Sequence, residues 1–522
     1  MTELLGANTD TLDRMAESLR VDARRVADIR TQAQRAVAEL QAGWNGPDLW
    51  DLTQQWEQET SPQLAITSTS LDTCAAELRA QSAAQRWASG ENDSVWASFP
   101  TWMAPSAALG IPLLAGPGGN TPKRPPLTTT PPSTPPSTPP TSRPKHGTPT
   151  DNASWWRSLG QQQQQQVIKD HPDWIGNRDG VPFTARDQAN RALLSVNRAG
   201  LVAERQRLET DLADNRVGDA FTTDDEALAQ VKDKVASLDA IEATLARSGQ
   251  RQLLLLDLSA ERAQAAIARG NVDSADNVAV FVPGITSNVN DSMKGYDTKM
   301  DQLQHRTELE NRRANPTQES TTATVTWIGY QSPQLGWDLV GENSAAGDHL
   351  AKAGAAQLVP FLQGIDAARD HDAHLSVLGH SYGSTTAGLA LQQATGVDDV
   401  VFFGSPGIGT NHLGDLSVPK GHTYYIEASW DPVGDLGRFG IDPSHLDGIE
   451  HASAKDSTVV DPKTGEIRHF TKVTGHSSYL DGDSTSQYNM SVIVAGLPDR
   501  RVIDLGQGVG DVLSWPFPGT YR

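Results

Sequence analysis

Apolar residues recur every seven positions through the first forty residues of the chain, and this interval predicts a long amphipathic helix. A Trp44-Asn45-Gly46-Pro47 segment then interrupts the pattern, because glycine and proline end helices. A second helical run follows it. The first run contains Leu12, Leu19, Val26, Ala33 and Leu40, and the second contains Leu49, Leu52, Trp56, Leu64, Leu71 and Leu78. The pattern therefore predicts two helices packed as a hairpin over residues 1–98.

Proline, serine and threonine dominate the next segment, residues 99–150, where a short Pro-Pro-Ser-Thr repeat begins at Pro131. Proline fixes φ and removes a backbone hydrogen-bond donor. We therefore expect an extended, semi-rigid linker that forms no packed core. The same composition permits O-glycosylation.

The pattern becomes helical again between residues 151 and 250. The segment opens with Trp155-Trp156, and a glutamine run follows at 161–166. Two helices are predicted between Arg186 and Gly249, since leucine, isoleucine and valine recur there at helical spacing. We expect a helical cap that packs on the domain after it and forms a lid that selects substrate length.

Predicted strands and helices alternate from Leu253 onward. This alternation predicts an α/β domain at 251–522, with a mainly parallel sheet covered by helices on both faces. A helix is predicted at 343–362, between the third and fourth of these strands. The predicted strands are residues 253–256, 277–282, 323–328, 375–378, 400–403 and 423–426.

Length, charge and cysteine content limit the classes of protein to which this chain could belong. A chain of 522 residues is too long for one ordinary core, so about two to four domains are expected. The net charge of −21 argues against a nucleic-acid partner, because phosphate backbones need clustered lysine and arginine. The single cysteine, Cys74, allows no intrachain disulfide, and we expect it to be a buried apolar residue.

Neither a signal peptide nor a membrane span is expected. The first twenty residues carry acids and lack an apolar segment, and the longest apolar stretch, near 107–115, is too short to cross a bilayer. No cysteine and histidine spacing typical of a zinc site occurs.

The segment Gly379-His380-Ser381-Tyr382-Gly383 carries the most informative chemistry of the chain. It follows the predicted strand at 375–378 and precedes a stretch rich in alanine and threonine that is predicted to be a helix. A GxSxG sequence between a strand and a helix is typical of a nucleophile elbow, which presents the serine to substrate. Its glycines are needed because side chains there would collide with the crossing strand and helix. The alternative is a tight glycine turn in which the serine has no catalytic role.

A serine nucleophile needs a histidine base and a carboxylate that orients the histidine. In α/β-hydrolases the chain order is serine, acid, histidine. Asp431 comes just after the predicted strand at 423–426, so it is the predicted acid. Asp435 is the alternative, and a plain turn aspartate before proline is the other interpretation of Asp431.

His476 is the predicted base, because it lies on a glycine loop after the strand-like segment 467–473. His469 falls within that segment and is expected to be structural. His445 and His451 lie in polar loops, where a solvated histidine is expected.

An oxyanion hole needs two backbone donors. The N–H of Tyr382, directly after Ser381, is predicted to be one. The other is expected from the loop Pro283-Gly284-Ile285-Thr286, which follows the predicted strand at 277–282. Ile285 is the predicted donor and Thr286 the runner-up, and a plain Pro-Gly turn is the alternative.

Several segments together resemble an actinobacterial family of α/β-hydrolases of undefined substrate, over about residues 150–500. The resemblance implies the α/β-hydrolase fold and a serine hydrolase that needs no metal or cofactor. Its substrate would be a small-molecule or lipid-like acyl ester. An acyltransferase with the same triad remains open. The segments are Trp155-Trp156, Asp173-Trp174-Ile175-Gly176-Asn177, Pro283-Gly284, the Ser381 elbow, Asp431-Pro432 and Gly475-His476-Ser477.

The predicted hairpin resembles the WXG family of helical-hairpin proteins that type VII secretion handles, through Trp44 and Gly46. That family carries an aromatic-xxx-acid signal after its second helix, and here Trp87 and Glu91 match it, with Trp where Tyr is usual. The resemblance implies a WXG-type helical partner or the secretion machinery. The protein would be cytoplasmic, or exported without a signal peptide. The alternatives are a type VII-associated interaction protein with an inactive hydrolase fold, a secreted effector protein, and an ordinary helical pair whose Trp44 caps its own core.

Overall fold

The computed structural model describes residues 147–214, 223–334, 348–429, 431, 433 and 439–504, and separate positions between Glu17 and Ser68. The chain divides into two compact units, Met1–Ser133 and Thr134–Arg522. Most of the predicted linker and the predicted residues Trp44, Cys74, Trp87 and Glu91 lie outside the described residues. Within the described part, no helix is long and apolar enough to cross a membrane.

The described residues of the first unit are helical, and side-chain hydrogen bonds connect its two runs. From one bond to the next, the residue number falls in the first run and rises in the second, which is the register of two antiparallel segments. The bonds join Trp56 Nε1 to Gln34 Oε1 at 3.0 Å, Arg30 Nε to Ser61 Oγ at 2.9 Å, and Ser68 Oγ to the Ala23 carbonyl at 3.0 Å.

Helices form the start of the second unit. They are α1 (Pro149–Ser158), α2 (Gln161–Asp170), α3 (Pro172–Ile175), α4 (Phe183–Asp214) and α5 (Thr223–Leu245). A capping box begins α1, because the Thr148 side chain accepts from the Asp151 N–H and the Asp151 carboxylate accepts from the Thr148 N–H. Helical structure therefore begins at Pro149, just before the predicted end of the linker.

The described strands and α-helices alternate, as predicted, in the middle of the domain, but the domain begins with three successive strands, and five successive strands precede its last α-helix. In chain order they are β1 (Arg251–Asp257), β2 (Gln264–Arg269), β3 (Asn277–Val282), α6 (Val289–Ala314), β4 (Thr322–Ile328), α7 (His349–Ala368), β5 (His374–His380), α8 (Tyr382–Leu391), β6 (Asp399–Phe403), β7 (Thr423–Ile426), β8 (Glu450–Ala452), β9 (Ser457–Val460), β10 (Ile467–Phe470) and α9 (Thr485–Val494). Each of the six predicted strands is present, and the helix predicted at 343–362 corresponds to α7.

Eight strands form one sheet in the order β1-β2-β4-β3-β5-β6-β7-β8. β2 runs antiparallel to both of its neighbours, and every other neighbouring pair is parallel. Helices α7 and α8 pack on one face, and α6 and α9 pack on the other. The predicted fold class, an α/β-hydrolase fold with helices on both faces, is confirmed.

Two strands of this sheet were not predicted, β2 and β8. Alanine favours helices, and β2 contains three alanines, Ala265, Ala266 and Ala268. All three are completely buried between β1 and β4, so tertiary pairing overrides the local preference. The expectation for His451 was wrong, because it lies in β8 rather than in a loop. The strand-like segment 467–473 contributes only β10, which pairs with β9 in a separate hairpin.

Helices α4 and α5 pack against β1, β2 and α6 through a shared apolar cluster that includes Leu194, Ile241 and Leu253. The region predicted as a cap therefore packs on the sheet. β1 is the edge strand and β5, which leads into Ser381, is four strands away, so the packing of α4 and α5 on β1 and β2 lies toward that edge of the sheet. The lid role expected of this region stays a prediction.

Candidate active site

Ser381 lies in the sharp turn between β5 and α8 and is almost completely buried. Its φ of 54° and ψ of −133° are unusual for a residue other than glycine. Such a conformation costs about 1–3 kcal/mol and persists only where the surroundings impose it. Here the Ser381 N–H donates to the Phe403 carbonyl at 3.2 Å, and Ser384 Oγ donates to the Ser381 carbonyl at 2.5 Å.

The glycines around Ser381 are required because neighbouring segments lie too close to them for a side chain to fit. A Cβ on Gly379 would lie 2.8 Å from Ser384 Cα in α8, and one on Gly383 would collide with the Val282 carbonyl at the end of β3. The predicted collisions with the crossing helix and strand are therefore confirmed. A Cβ on Gly284 would lie 2.5 Å from Ser381 Cβ and 2.9 Å from Ser381 Oγ, so the loop after β3 contacts the serine directly.

Asp431 and His476 form a hydrogen-bonded pair. His476 Nδ1 is 3.0 Å from both carboxylate oxygens of Asp431. The Asp431 side chain has no solvent exposure, whereas that of His476 is 26% exposed. A carboxylate only accepts, so Nδ1 carries the proton and Nε2 is left as an acceptor. This is the tautomer that a general base needs.

Two further donors hold the Asp431 carboxylate. The Tyr479 hydroxyl donates to Oδ2 at 2.6 Å, and the Val433 N–H donates to Oδ1 at 2.9 Å. Burial acts to raise the pKa of Asp431, but the hydrogen bonds from His476 and Tyr479 outweigh it and hold the pKa below its usual value. Asp431 is therefore ionised at neutral pH.

Ser381 and the Asp431–His476 pair meet at the end of β6. The Ser381 N–H bonds to Phe403, and a Cβ on the next residue, Gly404, would lie 2.7 Å from Asp431 Oδ2 and 3.1 Å from His476 Nδ1. Among the described residues, no hydrogen bond joins Ser381 Oγ to His476. Catalytic hydrogen bonds are often long before substrate binds and tighten in the complex.

The alternatives for the acid and the base are placed elsewhere. Asp435 lies outside the described residues. His469 is exposed on β10 beside Thr458, and His445 is exposed in a short 3-10 turn, where it bonds to Ser444. In the part of the chain that the structure describes, no group of three or more His, Cys, Asp or Glu side chains could hold a metal ion.

The loop after β3 is fixed by the residues that follow β4. The Tyr330 hydroxyl donates to the Pro283 carbonyl at 2.7 Å, and the Thr286 N–H donates to the Pro333 carbonyl at 2.7 Å. Thr286 has a φ of 64°, which is strained for a β-branched residue. Because the Thr286 N–H is already bonded, Ile285 is the better placed of the two predicted oxyanion donors. Tyr382, the other one, begins α8, where N–H groups point out of the helix.

Sequence reasoning missed the supporting residues Tyr479, His380 and Tyr330. Tyr479 lies three residues after His476, and His380 lies between Gly379 and Ser381 in the GxSxG motif. Both residues therefore belong to segments that the sequence had singled out. No pattern along the chain indicates that the Tyr479 hydroxyl reaches Asp431, 48 residues away.

Comparison with solved structures gives low overall similarity. A hyperthermophilic esterase from the archaeon Pyrobaculum calidifontis aligns with 56% of this chain and 97% of its own, at 12% identity and a TM-score of 0.32. A 2,6-dihydroxy-pseudo-oxynicotine hydrolase aligns with 72% of this chain and 94% of its own, at 14% identity and a TM-score of 0.29.

Comparison of sequences is more informative. The uncharacterized protein Rv0963c of Mycobacterium tuberculosis is 33% identical over 242 residues, which are 45% of this chain and 88% of that protein. The uncharacterized protein Rv2079 of the same organism is 30% identical over 539 residues, which cover 96% of this chain and 75% of that protein. Residues 259–441, from the loop before β2 to beyond Asp431, match an α/β-hydrolase family. With its sheet topology and its mycobacterial relatives, this chain belongs to an uncharacterized actinobacterial family of α/β-hydrolases.

Proposed function

We propose that the protein is a serine hydrolase that cleaves acyl esters through Ser381, His476 and Asp431. The observation that carries the proposal is the buried Asp431 carboxylate bonded to His476 Nδ1 beside a serine in a strained elbow. A structural ion pair would not need a serine at positive φ next to it, because such strain is retained where function requires it.

The proposed reaction has two steps. Ser381 Oγ attacks the ester carbonyl while His476 Nε2 takes the hydroxyl proton, and the Asp431 carboxylate stabilises the imidazolium that forms. The tetrahedral intermediate collapses to an acyl-serine, and the imidazolium returns its proton to the departing alkoxide. Water then attacks the acyl-serine with His476 as base, which releases the acid and restores Ser381.

The oxyanion would be bound by the N–H groups of Tyr382 and Ile285. The contact between Gly284 and Ser381 supports this, since it brings the loop after β3 against the attacking oxygen. Removal of one such donor typically costs about 100- to 1,000-fold in kcat, so the fixed loop matters for rate.

Fluorophosphonate labelling of the full chain tests the proposal. We expect the parent to be labelled, Ser381→Ala to be unlabelled and His476→Ala to react far more slowly, because the serine needs its base. Ser444→Ala is the matched control, since Ser444 and His445 form another serine–histidine pair with a 3.0 Å contact. This variant should label like the parent. Absence of labelling in a folded parent would overturn the proposal.

Product analysis separates hydrolysis from acyl transfer. The parent would be given p-nitrophenyl esters of increasing chain length, with and without an added alcohol. Free acid as the main product in both cases supports the hydrolase. A new ester formed at the expense of the acid would identify an acyltransferase with the same three residues.

The first unit supports a second, independent proposal. Its antiparallel hydrogen-bond register is the register of a helical hairpin, and we propose that it binds a WXG-type helical partner and directs export by the type VII route. Comparing secretion of the full chain with that of a chain lacking residues 1–98 tests this. Equal export of both would refute the proposed role.

A further inference from the structure

His380 is the residue before Ser381, and the proposed reaction leaves it without a role. It is the last residue of β5, the strand between β3 and β6 in the middle of the sheet. Its backbone pairs with Phe403 of β6, and the preceding residue, Gly379, pairs with Val282 of β3, so His380 lies at a well-fixed position beside the nucleophile.

The His380 side chain contacts His476 in two ways. His380 Nε2 lies 2.8 Å from the His476 carbonyl oxygen. Because a carbonyl only accepts, Nε2 carries a proton and donates it. The two rings also stack, with their centroids 4.7 Å apart and their planes 30° apart. Phe403 stacks on His380 as well, at 5.0 Å.

These contacts matter because His476 lies on a loop. The preceding residue, Gly475, has a φ of 68° and no atom within 4 Å of its Cβ position. The Gly475 N–H bonds to the Ser429 carbonyl at 2.9 Å, which ties the loop to the segment that carries Asp431. That bond and the carboxylate fix the histidine relative to the acid. They do not fix it relative to the serine.

We propose that His380 is a positioning residue that holds the His476 imidazole in register with Ser381 chiefly by donating to the His476 backbone, with its ring stacked on the imidazole. The inference rests on the proposed serine-hydrolase function. A displacement of 1 Å at a catalytic group can cost about 100-fold in rate, so one anchor on the nucleophile side is enough to matter.

The protonation state of His380 suits this role. Burial and the neighbouring His476 lower the pKa of His380 to about 3. The ring is therefore neutral at any pH at which a histidine base works, and it brings no positive charge next to the imidazolium of His476.

Two substitutions separate the donor from the ring. His380→Gln keeps an N–H donor at similar reach and loses the ring, whereas His380→Phe keeps an aromatic ring and loses the donor. We expect the Phe variant to lower kcat for a p-nitrophenyl ester about 10- to 100-fold with KM within about twofold, because the base is displaced while the substrate pocket is not. The Gln variant should recover most of this loss.

Thermal stability and labelling are measured alongside. Fluorophosphonate labelling of the parent and of Ser381→Ala tests the proposed serine-hydrolase function. A failure of that function is therefore distinguished from a failure of the inference about His380. An unchanged kcat in the Phe variant would overturn the inference, and so would equal losses in Phe and Gln variants of parent-like Tm. If the Phe variant does not fold, the Gln variant decides. Activity within about threefold of the parent supports the donor role, and a large loss at parent-like Tm refutes it.

Discussion

The Tyr479 hydroxyl links the Asp431 carboxylate to the backbone of Ala428. It donates to Asp431 Oδ2 at 2.6 Å and accepts from the Ala428 N–H at 2.8 Å. Burial and the charge of Asp431 raise the pKa of Tyr479, so the phenol keeps its proton throughout the working range. The tyrosine is thus a permanent donor to the carboxylate, and it helps to keep Asp431 ionised and oriented toward His476.

Tyr479→Phe should lower kcat/KM about tenfold or more. A hydrogen bond to a charged group contributes about 1.5–3 kcal/mol, and each 1.4 kcal/mol corresponds to about a tenfold change in rate. Steady-state ester hydrolysis measures the effect. Tyr488→Phe is the matched control, since the Tyr488 hydroxyl bonds to the Arg500 carbonyl at 3.0 Å, outside the site. Parent-like kcat/KM in the Tyr479 variant would contradict the prediction.

At the residue scale, the sequence predicted Ser381, Asp431 and His476 as site residues and missed the side chains that pack around them. Ser381 was accessible to prediction because an elbow is a local pattern of strand, glycine turn and helix. Asp431 and Asp435 could not be separated by pattern, since both follow the same strand. The bond from His476 to Asp431 spans 45 residues and depends on how two loops meet.

Edge strand β1 shows how a helical segment protects a sheet. Exposed strand edges can pair with other chains, so proteins cover them. The Asn177 side chain donates to the Leu256 carbonyl at 2.7 Å and accepts from the Leu256 N–H at 3.0 Å. Asn190 and Asp187 bond to the carbonyl and the N–H of Leu253. The segment Asp173-Trp174-Ile175-Gly176-Asn177, prominent in the sequence, therefore has a structural role.

Asn177→Ala should destabilise the second unit by about 1–3 kcal/mol, because two backbone groups of β1 lose their partners. It should also increase aggregation on heating, since the edge becomes free to pair. Urea unfolding and light scattering measure the two effects. Asn290→Ala is the matched control, because the Asn290 side chain contacts Asp233 at a long distance of 3.5 Å. A loss below about 0.5 kcal/mol for Asn177→Ala would argue against edge protection.

At the element scale, apolar pattern predicted the strands that are buried on both faces and the two long helices α4 and α5. It did not predict β2, where alanines form a strand only because β1 and β4 flank them. Nor did it predict β8, which has three residues and too little pattern to detect. Short or weakly patterned strands take their structure from neighbours that lie far away in sequence.

A second polar cluster lies at the opposite ends of the central strands, where β5 and β6 begin and just before β7. The Asp399 carboxylate is completely buried between His374 Nε2 at 2.8 Å and His422 Nδ1 at 2.7 Å, and Asp398 is 3.8 Å from His374 Nδ1. Burial acts to lower the pKa of His374, but the close contact with Asp399 and the charges of Asp399 and Asp398 outweigh it, so the pKa is raised. The protonated form of His374 therefore stabilises the folded state.

The sign of the pH effect follows from linkage. A raised pKa in the folded state means that the stabilisation is complete below the unfolded pKa of about 6.5 and is lost as pH rises through the folded value. His374→Gln should therefore cost more stability at about pH 5.5 than at about pH 9. Urea unfolding at the two pH values measures the difference.

His469→Gln is the control for this experiment, because His469 lies on the exposed side of β10. It should change the unfolding free energy by less than about 0.5 kcal/mol at both pH values. A His374→Gln cost that is equal at both pH values, or larger at high pH, would show that the stabilisation does not come from protonated His374.

The sequence by itself determined the central run of alternating strands and helices and the elbow around Ser381, and it predicted Asp431 and His476 as the acid and the base. These features depend on side chains close together in the chain, where periodicity and glycine placement act locally. Only the tertiary structure decided that His380 reaches His476 across 96 residues and that Asn177 covers β1 across 79 residues. Such contacts form where separate elements meet, and their geometry depends on packing of the whole domain rather than on any local pattern.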